Sequence, residues 1–469
     1  MQITEKDIQK LVEQVLVNIK SNTNTSSSMS QGHGIFSTVD EAVNAAKEAE
    51  LAFRQVSIDL RKKMIQAMRD VSIQHAEELA KMAVEETGLG RVENKIDKNL
   101  LAANKTPGVE DLVSSTFTGD RGLTLVENAP FGIMGAITPS TNPAATVINN
   151  SISLVAAGNV VVFNPHPSAK RVSIHAIKLL NDAIVSVGGP KNILTSVAEP
   201  TLDTSKQVME HPDIRALVVT GGGVVVKAAM QVGKKVIAAG PGNPPVVVDE
   251  TADLQKAGKD IVDGASFDNN VLCTAEKEVF VVETVARQLK NEMIKNGAIE
   301  LNSFELEKLM KVITVEKNGK HYPNRDYIGK DASVLLKAIG KEVDSSIRLI
   351  IAETKNEHPL VHTEMLMPIL PIVKVKDVDQ GIEFAIKAEK GNRHTAIMHS
   401  QNITNLTKMA QAIQATIFVK NGPSYAGLGF GSEGFATLTI AGPTGEGLTS
   451  AKTFTRQRRC VLVDGFRIV

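Results

Sequence analysis

Residues 132–186 read GIMGAITPSTNPAATVINNSISLVAAGNVVVFNPHPSAKRVSIHAIKLLNDAIVS, and this stretch decides the fold class. The apolar runs GIMGAITPS and NVVVFNPHP end in turn-forming residues, as buried strands do, and AKRVSIHAIKLLNDAIVS has the pattern of a helix. Two more runs of the same kind follow, IRALVVTGGG at 214–223 and KVIAAGPG at 235–242. Strands that alternate with helices predict a parallel, doubly wound α/β sheet.

A second series of strands is predicted beyond Pro244. Its apolar runs are PPVVVDE, KEVFVVE, PILPIVKV, HTAIMHS and ATIFVKN, with helical segments between them. The chain from Ser37 to about Leu112 has a helical pattern, and the C-terminal SAKTFTRQRRCVLVDGFRIV is typical of an extended strand. We therefore expect two α/β domains and a smaller β element.

The overall composition narrows the class of protein. The 469 residues carry 52 basic and 52 acidic side chains, so the net charge gives no reason to expect nucleic acid or an anionic membrane as a partner. Two cysteines, Cys273 and Cys460, exclude a disulfide framework or a four-cysteine zinc site. No apolar stretch reaches the roughly 18 to 20 residues of a membrane span, and no secretory signal is evident. The expected location is the cytoplasm.

The first 20 residues differ from the rest. The apolar side chains Ile8, Leu11, Val12, Val15, Leu16 and Ile19 form one stripe of a helix. A polar, Ser- and Asn-rich linker, SNTNTSSSMSQGHG, follows. Because so short a helix is marginal alone in water, its stripe needs a partner surface. That surface belongs either to its own domain or, as the linker favours, to another protein.

Cys273 is the candidate nucleophile. It lies in SFDNNVLCTAEKEVF between a polar helix and an apolar strand, where reactive groups are often held. A free thiol has a pKa of about 8.5, so local donors would have to lower it for reaction at neutral pH. Cys460, inside a predicted strand beside Arg458 and Arg459, is interpreted as a structural, buried cysteine.

Two further motifs carry weaker signals. Asn142, in ITPSTNPAAT, stands between two prolines that fix the backbone, so its carboxamide is a candidate oxyanion donor or simply a turn residue. VVTGGG, residues 218–223, would let a phosphate or ribose approach the backbone at a helix N-terminus, but lacks the GxGxxG spacing and could be a tight turn. HPLVHTE, residues 358–364, lacks a metalloprotease pattern, and we expect no metal site.

Taken in order, several segments resemble the aldehyde dehydrogenase superfamily over about residues 35–469. They are NAPFGIMGAITPSTNPAATVINN, VVTGGG, AAGPGNPPVVVDETAD, SFDNNVLCTAEKEV, GNRHTAIMHS, IFVKNGPS and PTGEGLTSAKTFTRQRRCVLVD. The resemblance is closest to the CoA-acylating propionaldehyde and acetaldehyde dehydrogenases of bacterial microcompartments. It implies the aldehyde dehydrogenase fold: a doubly wound, Rossmann-like cofactor domain, an α/β catalytic domain and a small β oligomerisation element.

The resemblance also implies roles for individual residues. Cys273 matches the nucleophile, in Asn-Val-Leu-Cys where the family usually has Gly-Gln-x-Cys. Asn142 matches the side-chain donor of the oxyanion hole, the Cys273 amide being the second donor, and Glu364 in EMLMPILP matches a ribose-holding glutamate. The residues expected to bind NAD are Thr138, Pro139, Ser140, Asn164, His166, Pro167, Gly221, Gly222, Gly223, Ala239, Gly240, Glu364 and Leu366.

Two departures from the family pattern bear on the reaction. Ala238 occupies the position of the general-base glutamate of hydrolytic members, so water would be poorly activated and transfer to coenzyme A is favoured. Asn164 stands where many relatives have a lysine that binds the adenosine ribose, which weakens the basis for coenzyme preference.

The resulting expectation is an enzyme that converts a short-chain aldehyde, propanal or acetaldehyde, with CoA and NAD to acyl-CoA and NADH. The alternatives are a hydrolytic aldehyde dehydrogenase, a non-redox cysteine acyltransferase or thioesterase, and a non-catalytic shell-associated protein. By resemblance, residues 1–20 are an encapsulation peptide that binds a microcompartment shell protein, and the enzyme is a homodimer or homotetramer. The expected domains are a linker at 21–34, an NAD-binding domain at 35–114 and 130–240, a catalytic domain at 241–445, and an oligomerisation element at 115–129 and 446–469.

Overall fold

The computed structural model describes residues 33–317 and 319–469. The predicted amphipathic helix at 1–20 and nearly all of the linker lie outside these described residues. Helices and strands are labelled below in chain order.

The described helices alternate with strands through most of the chain. The first of them begins after Thr38, whose hydroxyl accepts a hydrogen bond from the Glu41 amide while the Glu41 carboxylate accepts one from Thr38, a capping box. The helices are α1 (Val39–Phe53), α2 (Ile58–Gln74), α3 (Ala76–Thr87), α4 (Val92–Lys105), α5 (Pro143–Ala156), α6 (Lys170–Ser186), α7 (Leu202–Glu210), α8 (Gly223–Met230), α9 (Leu254–Ser266), α10 (Glu283–Lys295), α11 (Ser303–Ile313), α12 (Ala332–Lys337), α13 (Val378–Glu389) and α14 (Ile403–Ile413).

The first sheet is parallel and has six strands in the order β1-β6-β5-β4-β7-β8. It contains the strands predicted from the runs at 132–140, 159–167, 214–223 and 235–242. Its strands are β1 (Ile35–Phe36), β4 (Ile133–Thr138), β5 (Val160–Pro165), β6 (Leu194–Val197), β7 (Ala216–Thr220) and β8 (Lys235–Ala239). The chain order reverses between β4 and β7, which makes their carboxyl ends the expected place for a ligand.

The second sheet is parallel and has seven strands in the order β11-β14-β15-β10-β9-β16-β17. Five of them correspond to the second series of apolar runs, and β11 and β14 were not predicted. The strands are β9 (Pro245–Val248), β10 (Glu278–Val282), β11 (Ala298–Leu301), β14 (Leu349–Glu353), β15 (Ile369–Val375), β16 (Thr395–His399) and β17 (Ile417–Lys420). Two doubly wound α/β units confirm the predicted fold class.

A third, antiparallel sheet joins two distant parts of the chain. Its strands are β2 (Ser115–Gly119), β3 (Gly122–Pro130) and β20 (Thr455–Val463). Most side chains of β2 and β20 are exposed. Two short hairpins complete the described strands: β12 (Thr314–Lys317) with β13 (Lys320–Pro323), and β18 (Ile440–Ala441) with β19 (Gly447–Leu448).

The apolar core follows this division. One buried cluster lies around the first sheet and helices α1 to α6, and three others lie around the second sheet. The strands of both large sheets are buried almost throughout, as expected for parallel strands covered by helices on both faces. The ends of the first sheet's strands face the loop that connects α9 to β10, and the candidate site lies there.

Candidate active site

A cavity of about 300 Å³ lies at the carboxyl ends of β4, β5 and β7, where the strand order of the first sheet reverses. Nearly all of the predicted site residues meet there. Those that line the cavity are Thr138, Pro139, Ser140, Asn142, Asn164, His166, Pro167, Gly221, Gly222, Ala239, Gly240, Cys273, Glu364 and Leu366. Gly223 is not among the lining residues, because it begins helix α8. The candidate nucleophile and the expected cofactor groove therefore share one cavity.

The glycines after β7 leave space above the N-terminus of α8. None of Gly221, Gly222 and Gly223 has a positive φ, so the local backbone conformation does not require glycine. A Cβ atom added to Gly222 or Gly223 would meet no atom within 4 Å, so this open space would admit a phosphate or ribose to the helix N-terminus. A second cavity, of about 400 Å³, shares Leu202, Ser205 and Val225 with the first and extends the groove between α7 and α8. The two cavities together fit an elongated dinucleotide.

Asn164 is hydrogen bonded within the protein. Its carboxamide oxygen accepts from the Thr204 hydroxyl at 2.7 Å, and its nitrogen donates to the Thr201 carbonyl at 3.4 Å. These bonds tie the end of β5 to the first turn of α7. Asn164 thus shapes the groove wall, and these two bonds use one N–H and one oxygen lone pair of its carboxamide.

Cys273 follows a loop with an unusual backbone. Asp268, Asn269 and Asn270 all have left-handed φ values, of 49°, 53° and 65°, and all are buried. Asp and Asn tolerate this region better than other residues with a Cβ, but three in a row need external support. Lys277 supplies part of it by donating to the Asn270 side chain at 2.6 Å and to the Leu272 carbonyl at 3.2 Å.

The thiol of Cys273 is protonated in these surroundings. Burial raises its pKa to about 11, and the nearby Glu364 carboxylate acts in the same direction. Lys277 and Lys98 lower the thiol pKa but do not offset the burial. Local donors alone do not lower the pKa of Cys273 in this structure, so reaction at neutral pH would require a group that accepts the thiol proton.

Asn142 immediately precedes α5, but its side chain does not cap that helix. Its carboxamide oxygen instead accepts a hydrogen bond from the ammonium group of Lys98 on α4. Lys98 also contacts the carboxylate of Asp268, the first left-handed residue of the Cys273 loop. Neither Lys98 nor Asp268 was singled out in the sequence, because 170 residues separate them and only the fold brings them together.

His394 is a second residue that the sequence did not single out, although it lies in GNRHTAIMHS. Gly242 lies between the Cys273 carbonyl oxygen and the His394 ring. A Cβ atom added to Gly242 would lie 2.5 Å from that oxygen and 3.1 Å from that ring, so the absence of a side chain lets both groups pack against residue 242. Burial lowers the pKa of His394 to about 4, with a further contribution from Lys277, and the imidazole is neutral at pH 7. Its Nδ1 contacts the Thr395 hydroxyl at 2.9 Å, while Nε2 has no partner among the described residues.

Glu364 is the one carboxylate among the described residues that line the cavity. Its pKa is raised by burial, and it accepts a long hydrogen bond of 3.4 Å from the Gly242 amide. Ala238, at the position of the hydrolytic base in the resembling family, is fully buried within β8 and offers only a methyl group. The cavity thus has a thiol and a carboxamide among its lining groups, but position 238 offers no carboxylate.

Cys460 lies on β20 and is exposed, so the interpretation of it as a buried structural cysteine is wrong for the single chain. Within residues 33–317 and 319–469, no group of three or more His, Cys, Asp or Glu side chains is arranged to hold a metal ion. None of the helices in the described part of the chain has the length and apolar character that a membrane span requires.

Comparison with known proteins identifies the family to which the chain belongs. The model of the aldehyde dehydrogenase family matches residues 24–431. The chain is 51% identical to the acetylating acetaldehyde dehydrogenase EutE of Salmonella typhimurium over 470 residues, which covers 100% of both proteins.

Two solved structures are similarly close. The propionaldehyde dehydrogenase of Rhodopseudomonas palustris, with bound CoA and an acylated cysteine, superposes with a TM-score of 0.91 at 51% identity, over 92% of this chain and 99% of that one. A propionaldehyde dehydrogenase from the fucose utilisation microcompartment of Clostridium phytofermentans gives a TM-score of 0.91 at 52% identity, over 93% and 100%. The chain belongs to the aldehyde dehydrogenase family.

Proposed function

We propose that this protein is an NAD-dependent, CoA-acylating aldehyde dehydrogenase that converts propanal or acetaldehyde to the corresponding acyl-CoA. The observation that carries the proposal is the single cavity that brings Cys273 and Asn142 together with the groove above Gly221 and Gly222. The similar proteins named above are acetylating or act on propionaldehyde. Part of the cavity lining is apolar, with Val271, Leu366 and Leu438 among its residues, which agrees with a short-chain aldehyde.

Cys273 acts as the nucleophile. Its sulfur adds to the aldehyde carbon, and the resulting alkoxide is stabilised by the Asn142 carboxamide and the Cys273 backbone amide. Bound NAD supplies the hydride acceptor and CoA supplies the thiol that accepts the acyl group. Loss of hydride from the thiohemiacetal leaves a thioester on Cys273, and attack by a thiol then frees the cysteine. The covalent intermediate makes the kinetics ping-pong.

The proton of Cys273 needs an acceptor because burial keeps the thiol protonated. His394 is neutral, has one ring nitrogen without a partner among the described residues, and lies across Gly242 from the Cys273 carbonyl oxygen. Its pKa of about 4 is far below the thiol pKa of about 11, so it is a poor acceptor for this proton, and we assign it to support of the Cys273 backbone. Glu364, whose pKa is raised and which accepts from the Gly242 amide, is assigned to the cofactor ribose.

The choice of acyl acceptor follows from position 238. A thioester on Cys273 is hydrolysed quickly only where a base activates water, and Ala238 supplies none. A thiol such as CoA has a much lower pKa than water and does not need the same base. This favours acyl-CoA over a free acid as the product. A non-redox thioesterase is disfavoured because it would not need the dinucleotide groove.

The domain assignment of the sequence stays a proposal. The first sheet draws on residues 35–239 and supports a cofactor domain, the second on residues 245–420 supports a catalytic domain, and the third sheet supports an oligomerisation element. We assign residues 1–20 as the segment that binds a microcompartment shell protein, in keeping with the microcompartment origin of one similar structure. The enzyme is proposed to form homodimers or homotetramers.

The function is tested by NADH formation from propanal and NAD, with and without CoA. Multiple turnovers that require CoA support acyl transfer. Equal turnover without CoA supports the hydrolytic alternative, and an absence of NADH in both assays supports a non-redox or non-catalytic protein.

A further inference from the structure

Two lysines on one face of α4 share a single buried carboxylate beside the cavity. Lys98 contacts both the Asn142 carboxamide oxygen and Asp268, while Lys95 donates to the same Asp268 oxygen at 3.0 Å and to the Thr141 carbonyl at 3.0 Å. Lys95 and Lys98 are each 3% exposed and Asp268 is fully buried. Charged groups so far from water are costly unless they are paired and hydrogen bonded.

We propose that Lys98 is a positioning residue that fixes the orientation of the Asn142 carboxamide. This rests on the proposed function, in which Asn142 stabilises the oxyanion. An ammonium group is only a donor, so it accepts no hydrogen bond from an amide nitrogen. With Lys98 against the carboxamide oxygen, the amide nitrogen is directed away from Lys98. Its one hydrogen bond to the described residues is a long one, 3.4 Å to the Thr141 hydroxyl. If the Asn142 carboxamide were rotated by 180°, its NH2 group would face the Lys98 ammonium, and two hydrogen-bond donors would oppose each other.

Asp268 connects Lys98 to the loop that precedes Cys273. Its second carboxylate oxygen accepts from the Arg91 amide at 2.8 Å, and its own amide donates to the Asn94 side chain at 2.9 Å. A Cβ on Gly90 would lie 2.0 Å from the same carboxylate, so the chain before α4 passes directly against it. The start of α4 therefore holds the first left-handed residue of the Cys273 loop, and Lys98 connects that residue to Asn142.

Two other roles for Lys98 are conceivable on this geometry. Lys98 could act directly on Cys273, since its charge lowers the thiol pKa, or it could only stabilise the fold by pairing with Asp268. The charged or titratable groups that face Lys98 are Asp268, Lys95 and Cys273. Lys95 is a matched control, because it bonds to the same carboxylate oxygen but makes no hydrogen bond to Asn142.

The test measures the single-turnover burst of NADH from propanal and NAD without CoA, in a double-mutant cycle. Removing one oxyanion donor costs about a hundred-fold or more in rate, so we expect Asn142→Ala to slow the burst by about that factor. We expect Lys98→Met to slow it by about 30-fold with little change in the KM for propanal, and Lys95→Met by less than about threefold. Lys98→Met should add little further loss in the Asn142→Ala background, because it acts through Asn142.

The outcomes separate the possibilities. Losses that multiply in the double variant, or an equal loss in Lys95→Met, would overturn the inference in favour of a direct or purely structural role. If Lys98→Met does not fold, Lys98→Gln keeps a polar side chain beside Asp268, which still pairs with Lys95, and the same cycle is run with that variant. A wild-type protein that gives no burst contradicts the proposed function itself. A normal wild-type burst with an unchanged Lys98→Met burst contradicts only the role of Lys98.

Discussion

The side chains around Cys273 determine how this cysteine reacts. The sulfur is close to two buried lysines, yet burial dominates and raises the pKa of the thiol to about 11. Reactivity therefore depends on removal of a proton inside the cavity, not on a stable thiolate. Cys460 has a quite different environment, since it is exposed on β20 and is not among the residues that line the cavity.

Replacement of Cys273 tests the nucleophile. Cys273→Ala removes one sulfur atom from the cavity wall, so we expect NADH formation to fall below about a hundredth of the wild-type rate, with a melting temperature close to that of the wild type. Cys460→Ala is the matched control and should keep nearly full activity. A Cys273→Ala variant that retained more than this small fraction would exclude the covalent mechanism.

His399 links stability to pH. It ends β16, is 2% exposed, and burial lowers its pKa to about 3, with a smaller contribution from Lys256. In the unfolded chain its pKa is about 6.5, so between about pH 6.5 and pH 3 the unfolded state binds a proton that the folded state does not. The stability associated with neutral His399 is complete above pH 6.5 and decreases as the pH falls.

We therefore expect His399→Leu to gain stability relative to the wild type as the pH is lowered from 7.5 to 5. The gain should approach about 1.4 kcal/mol for each pH unit below 6.5. Thermal unfolding of both proteins at several pH values measures this difference. Other titrating groups, His394 among them, are common to both proteins and cancel. A difference that stays constant over this range would show that the pKa of His399 is the same in the folded and the unfolded chain.

At the scale of elements, the large sheets were predictable in part. The runs that became β4, β5, β7 and β8 are apolar and end in turn-forming residues, which is a strong local signal. The strands β11 (AIEL) and β14 (LIIAE) were missed because they are short, and one of them places a glutamate in mid-strand. Their position in the sheet comes from tertiary pairing, of β11 with β14 and of β14 with β15, which the local pattern does not show.

The candidate site was predictable to a similar degree. The residues that line the cavity at the ends of the strands could be predicted from the family resemblance and from the geometry of parallel sheets. Lys98, Asp268 and His394 could not be found in that way, because each acts through contacts between segments far apart in the chain. The left-handed run at 268–270 is likewise held by tertiary hydrogen bonds, such as that from Asn269 to Asp331 at 2.8 Å.

The third sheet carries a prediction about assembly. Its strands expose large apolar side chains that a monomer would leave in water: Phe117, Val461, Leu462 and Val463. Contiguous exposed apolar side chains often mark an interface between subunits. We expect Phe117→Glu with Val463→Lys to lower the molar mass in light scattering toward that of a monomer. The exposed residue Val224 lies on α8, outside this sheet, so Val224→Lys is the control. An unchanged mass in the double variant would place the interface elsewhere.

For the whole molecule, the active site depends on both large sheets. The strand ends of the first sheet form the groove, and the loop before β10 of the second supplies Cys273. Helix α4 contacts both parts, since Lys98 contacts Asn142 and Asp268 while Lys105 donates to the carbonyls of Gly429 and Ser432 at 2.6 and 2.7 Å. The catalytic geometry therefore requires both large sheets and α4 to be in place.

Residues 1–20 are expected to be separable from this fold. A predicted helix of this length is marginal alone in water, so its apolar stripe needs a partner surface. Deletion of residues 1–20 should leave kcat and the melting temperature nearly unchanged and abolish co-purification with assembled shells. A large fall in melting temperature would instead make this segment a part of the fold.

In the proposed mechanism, CoA and not water releases the acyl group from the thioester on Cys273. The most direct test of this step follows NADH formation from propanal and NAD at fixed enzyme concentration, first without CoA and then after its addition. We expect a burst of at most one NADH per active site without CoA, followed by steady turnover and propionyl-CoA formation once CoA is present. Sustained NADH production at a comparable rate without CoA, with propionate as the product, would contradict it.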